Sequence, residues 1–228
     1  MKEAIKRVPV LSDFARALYR RAPRSLKKLA FPGSANYWEQ RYAEGGNSGA
    51  GSYSFFAEFK AEVLNAFVSE QQVSSVIEFG HGDGNQLKLA HYPKYLGFDV
   101  SSTAVAHCRK VFAGDSSKSF RLAQDYAGEQ ADLALSLDVI FHLVEDSVFD
   151  AYMRRLFAAS QRYVIVYSSN TDENQGVEGD HVKHRRFTDW VAKNVPGFRQ
   201  IRHIPNRYPY TGDHRTGSFA DFFVFEKS

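Results

Sequence analysis

Two kinds of hydrophobic spacing alternate along the 228-residue chain. Over residues 55–69 apolar positions recur every three or four residues, the period of an amphipathic helix. Residues 76–79 instead form a short, mainly apolar run with Glu78 inside it, as expected of a parallel strand buried on both faces. Further strands are predicted at 95–98, 119–123, 132–137 and 162–167, and residues 102–112 repeat with a helical period. A last helix is predicted over 188–194 with Thr188 as its N-cap, followed by strands over 198–204 and 218–226. No helical pattern separates those two strands, so the final one is expected to run antiparallel. The prediction is an α/β fold, a seven-stranded and mostly parallel sheet with one antiparallel strand and helices on both faces.

The turn after the first strand carries the chemistry. Gly80, Gly82 and Gly84 follow Val76 to Phe79, and Asp99 ends the next strand about twenty residues on. Glycines let backbone lie directly against a ligand, and a carboxylate at the second strand end can accept hydrogen bonds from both hydroxyls of a ribose. A dinucleotide fingerprint would read G-x-G-x-x-G and hold a pyrophosphate. Here the pattern is Glu78-x-Gly80-x-Gly82-x-Gly84 with Asp83 inside it, and that negative charge repels a pyrophosphate but suits an ammonium and a sulfonium. The expected cofactor is S-adenosylmethionine, with S-adenosylhomocysteine as product. On this motif, with Asp99, the chain resembles the class I S-adenosylmethionine-dependent methyltransferases from about residue 52 to its end, which implies their Rossmann-like fold.

Composition narrows the setting. A hydrophobic content of 43% over this length supports one sizeable core, and the single cysteine, Cys108, excludes an internal disulfide. No apolar run reaches membrane-spanning length, and the start lacks a secretory leader pattern, so the expected location is cytoplasmic, with the inner membrane face as a docking option. That option comes from residues 1–28, which hold nine Lys or Arg against Glu3 and Asp13, a net of +7; with +3 overall, the remainder is −4. Residues 1–34 are therefore expected to be a basic helical extension, either packed on the domain or resting on an anionic surface or partner. The slightly acidic body carries no nucleic-acid-binding module, and nucleic acid is not expected as a partner.

The domain proper is assigned to 35–228, with 35–54 as a lid: a short helix bearing Tyr37, Trp38, Arg41 and Tyr42, then a glycine-rich stretch. The resemblance implies that this lid covers the cofactor, with Tyr37 near the sulfonium and Arg41 on the methionine carboxylate. It also implies that Asp125 meets the adenine amino group while Tyr126 covers the ring. Asp138 and His142 follow the fourth strand and are expected on the ligand-binding rim.

Methyl transfer to a hydroxyl needs a base, and His142, His181 and His184 all fall in predicted rim segments. Lys183, Arg185 and Arg186 beside them suggest a phosphate or carboxylate on the acceptor, or else a solvated helix start. A metal held by Asp138, His142, Glu145 and Asp146 is conceivable but not expected, since Glu145 and Asp146 read as an exposed helix start. Residues 37–42 with 49–52, 135–144 and 181–188 are further similar to methyltransferases of surface-polysaccharide biosynthesis, which implies a sugar hydroxyl or glycan as acceptor. His81 departs from that pattern, where a small residue or cysteine is common. The alternatives are a small-molecule N-methyltransferase and a non-catalytic partner or membrane-docking module with the same fold.

Overall fold

The computed structural model describes residues 31–174 and 180–228; the basic segment 1–28 lies outside them. Among the described residues five helices and seven strands run in the order α1 (Ser34–Ala43), α2 (Ser54–Glu70), β1 (Val76–Phe79), β2 (Tyr95–Asp99), α3 (Ser102–Val111), β3 (Lys118–Leu122), β4 (Ala131–Leu137), α4 (Asp146–Ala158), β5 (Ser160–Ser168), α5 (Phe187–Asn194), β6 (Phe198–Ile204) and β7 (Asp221–Lys227). They form one sheet in the order β3-β2-β1-β4-β5-β7-β6, with β7 antiparallel to both β5 and β6. The expected mostly parallel sheet, with its single reversed strand, is the one observed.

Strand alternation divides the core into two layers. Leu133, Leu135, Tyr163, Ile165, Phe222 and Val224 point to one face, where Phe59, Leu64 and Phe67 of α2 and Val105 of α3 cover them. Ala134, Val164, Val166, Phe223 and Phe225 point to the other, against Phe149, Met153 and Leu156 of α4 and Phe187 and Val191 of α5. Both faces being covered is why the central strands read as mainly apolar runs. Strand order reverses between β1 and β4, and in open α/β sheets the crevice at that point, beyond the strands' carboxyl ends, is where ligands bind.

Two local expectations are corrected. Helix α5 begins at Phe187 with Arg186 in the cap position, and Thr188 is inside it, its hydroxyl exchanging hydrogen bonds with the Asn170 amide. Strand β7 starts at Asp221 because Ser218 pairs its backbone with Tyr208 and Tyr210 instead, folding residues 208–218 back on themselves and freeing Phe219 from the sheet. No helix among the described residues is long and apolar enough to cross a membrane.

Candidate functional site

A cavity of about 350 Å³ opens at the switch point. Phe79, Phe98, Leu137 and Val139 give it apolar walls, the Gly80 to Gly82 backbone forms one side, and Asp99 and Asp138 supply carboxylates. The glycine loop folds tightly because Gly80 and Gly82 have φ of +87° and +58°, a region that side chains with a Cβ disfavour. Asp99 is buried and holds the loop from below: its Oδ2 accepts from the Gly82 amide at 2.9 Å and its Oδ1 from the Ser101 amide at 2.9 Å. His81 is buried beneath the loop, donating Nδ1–H to the Gly82 carbonyl at 2.8 Å, and burial lowers its pKa.

Helix α1 spans the mouth of this cavity. At one end Glu145, capping α4, accepts from the Ser34 amide at 2.9 Å and from the Ser34 hydroxyl. Nearer its other end Glu39 accepts from the Thr103 hydroxyl at 2.7 Å, at the start of α3. Trp38, Tyr42 and Ser48 thereby become part of the wall. Asp83 latches the following segment: its Oδ2 accepts from the Ser48 amide (2.8 Å) and the Tyr53 hydroxyl (2.7 Å). Burial opposes its ionisation, yet these bonds with that of Asn85 outweigh burial and lower its pKa. Asp83 thus faces residues 48–53 and not the cavity.

Asp138, with φ of +58°, leaves β4 in the left-handed region and receives Lys60 of α2, Nζ to Oδ2 2.6 Å. The Lys60 side chain is 1% exposed, so this is a buried ion pair at the cavity's edge. Glu78 lies deeper, outside the cavity wall; the Tyr95 hydroxyl donates to it at 2.6 Å, and burial raises its carboxyl to about 7.

His142 follows on the short turn Ile140–His142. Its Nδ1 donates to the His181 carbonyl at 3.0 Å, since a carbonyl can only accept, and Nε2 is left as the basic nitrogen. Its ring is stacked on His181 (5.2 Å between centroids) and meets Trp38 edge-on at 4.9 Å. Burial pushes its pKa down to about 3, so the imidazole is neutral. His142 also lines a second, more open cavity of about 780 Å³. There His184 bonds through Nδ1 to the Ser169 hydroxyl at 2.7 Å, and burial lowers the pKa of His184 and of His181.

Solved structures share this architecture. Magnesium protoporphyrin IX methyltransferase from Synechocystis PCC 6803, with bound S-adenosylmethionine, aligns at a TM-score of 0.57 and 17% identity over 86% of this chain and 97% of its own. The N-methyltransferase NodS from Bradyrhizobium japonicum WM9, in complex with S-adenosylhomocysteine, aligns at 0.59 and 15% identity over 76% and 87%. The methyltransferase domain of bacterial CtHen1 aligns at 0.56 and 21% identity over 74% and 96%. The chain has the fold of these methyltransferases. No family model and no curated protein matches it.

Within this methyltransferase fold, Gly80, Gly82, Asp99, Asp138 and His142 come together around the first cavity. Gly84 packs toward Cys108 and Phe112 of the α3 region. Tyr37 stacks on His181 at 4.6 Å, and Arg41 donates to the Asn47 carbonyl at 2.6 Å with its guanidinium over Trp38. At the end of β3 the wall is Ala123; Asp125 is exposed on the turn, and Tyr126 packs edge-on against Phe79 and Phe98. Lys183 and Arg185 converge on Asp146 (2.6 and 2.8 Å), and Arg185 also reaches the Leu143 and Val144 carbonyls, bracing the His142 turn. Arg186 is exposed. Among the described residues no group of three or more His, Cys, Asp or Glu is arranged to hold a metal. Sequence reasoning missed Lys60. Its signal was position: it shares the helix face of Phe56, Ala57 and Leu64.

Proposed function

We propose that the chain is an S-adenosylmethionine-dependent O-methyltransferase that methylates a hydroxyl of a sugar or glycan, with His142 as general base. The observation that carries the reading is His142 itself, a neutral imidazole with its proton fixed on Nδ1, in the wall common to the two cavities. The first cavity suits the cofactor. Its volume is in the range of ligand pockets, its walls are mainly apolar, and its carboxylates match hydroxyl and ammonium groups but not phosphates. Its one lining cation among the described residues, Arg155, donates to the Ala123 carbonyl at 3.0 Å and lies over Tyr126. Asp99 and the Gly80 to Gly82 backbone would hold the nucleoside, Asp138 the methionine end, and Trp38 and Tyr42 would cover it.

S-adenosylmethionine, when bound, supplies an electrophilic methyl on a sulfonium. The protein's part is alignment, exclusion of water and removal of one proton. Helix α1 excludes water by bridging α3 and α4. His142 needs only to take, at Nε2, a proton made acidic by methylation of the oxygen that carries it, so a weak base suffices. His181 fixes the tautomer and ring plane, and His184 contributes a polar contact on the acceptor side. A sugar as acceptor rests on the resemblance of residues 135–144 and 181–188 to methyltransferases of polysaccharide biosynthesis.

N-methylation is the second reading, favoured by the low basicity of His142, since an amine acceptor needs no strong base. Transfer of labelled methyl from S-adenosylmethionine to glycoside and amine panels separates the two: sugar hydroxyl methylation lost in His142→Ala supports the first, and amine methylation retained in that variant supports the second.

A further inference from the structure

The second cavity has a floor of rings. Tyr210 stacks on His214 at 4.5 Å with an interplanar angle of 26°, and Phe219 meets Phe141, His184 and His214 edge-on at 5.0, 4.6 and 5.6 Å. Above this floor stand polar side chains, among them Thr171, Glu173, Gln200 and Asp221. Two carboxylates line it, Glu173 and Asp221, the latter 2.8 Å from the ring nitrogen Nε2 of His203, and no lysine or arginine does among the described residues. Of the cations on the neighbouring segment, Lys183 and Arg185 are committed to Asp146 and to backbone carbonyls, and Arg186 is exposed and outside the lining.

A phosphate there would meet carboxylates and no guanidinium or ammonium to neutralise it. A sugar ring fits instead: its apolar face rests on aromatic rings and its hydroxyls bond to carboxylates and amides at the edge. We propose that this cavity is the acceptor site and that it takes an uncharged, hydroxylated ring, with no phosphate on the part it holds. The inference rests on the methyltransferase reading above and adds a substrate class to it: neutral glycosides, and not nucleotide sugars. His142 then lies between donor and acceptor.

The test uses protein saturated with S-adenosylhomocysteine, whose own binding is measured first and by itself decides the cofactor reading. Methyl glycosides and UDP-sugars bearing the same sugars are then titrated by ligand-detected NMR. Expected is binding of one or more methyl glycosides at least about fivefold tighter than the matching UDP-sugars. Tyr210→Ala, at a side chain 42% exposed and so safe for folding, should weaken glycoside binding roughly tenfold through loss of aromatic contact, with S-adenosylhomocysteine affinity unchanged. Glu173→Arg should narrow the gap between the two ligand classes. Tighter binding of UDP-sugars, no binding of either class by protein that holds S-adenosylhomocysteine, or indifference of glycoside binding to Tyr210→Ala would each overturn the proposal.

Discussion

Lys60 and Asp138 form an ion pair of 2.6 Å at the edge of the first cavity, with the lysine side chain only 1% exposed. Removing one partner of a buried pair leaves the other charge uncompensated, at a cost of about 3–5 kcal/mol. Lys60→Met is therefore expected to destabilise the fold by about that amount in urea unfolding. Asp138→Asn keeps a residue type that tolerates the positive φ, and the double variant Lys60→Met with Asp138→Asn should be more stable than Lys60→Met alone. Equal stability of the single and double variants would mean that the pair is not coupled.

Gly82 is close to the lid. A Cβ there would strike the Ser48 hydroxyl and come within 2.9 Å of the Tyr42 hydroxyl, and φ is already +58°. Gly82→Ala should weaken S-adenosylhomocysteine binding by at least roughly tenfold in calorimetry, about 1.4 kcal/mol, because lid and loop can no longer close together. Unchanged affinity would remove the lid from the account.

Asp83 is the latch between that loop and residues 48–53. In Asp83→Ala the Ser48 amide loses its acceptor, and hydrogen exchange at Ser48 and its neighbours should quicken while the amides of β4 and β5 stay protected. Uniform protection across both regions would show that the latch holds nothing.

His142 sets a pH dependence whose sign follows from its lowered pKa. The imidazole titrates near 6.5 when unfolded and about 3 when native, so between those values only the unfolded chain binds the proton. Stability from this group is full above the unfolded value and falls as pH drops toward 3, by up to about 1.4 kcal/mol per unit. His142→Phe should flatten that slope in melts at pH 6.5 and 5. Glu78 acts oppositely: its native carboxyl keeps its proton up to about 7, so its contribution is present below about 4.5 and lost as pH rises through 7. In activity, His142→Ala should lower kcat/KM by about 10²–10⁴, and the wild-type acid limb should lie well below pH 6.5. A limb at 6.5 that survives in the variant would assign the base elsewhere.

The sheet was legible because buried parallel strands are mainly apolar runs, and Gly80, Gly82 and Asp99 were legible because the loop and the next strand end are local in sequence. Lys60 was not, since a lysine in an amphipathic helix reads as solvent-facing until the packing of α2 buries its face. The roles of Lys183 and Arg185 depend on Asp146, almost forty residues away, and Asp83 reads as a ligand group until residues 48–53 fold onto it. Phe219 and Tyr210 belong to a loop that only the antiparallel return of β7 carries to the cavity. Thr188 has the composition of an N-cap, but Asn170 captures its hydroxyl from another segment.

Calorimetric titration of the purified chain with S-adenosylhomocysteine, beside NAD and repeated on Asp99→Asn, decides whether the first cavity holds the methyl donor. Expected are one site of micromolar affinity for S-adenosylhomocysteine, none for NAD, and at least roughly tenfold weaker binding in a variant that melts like wild type. No binding of S-adenosylhomocysteine, or equal binding of NAD, would contradict the assignment of the first cavity.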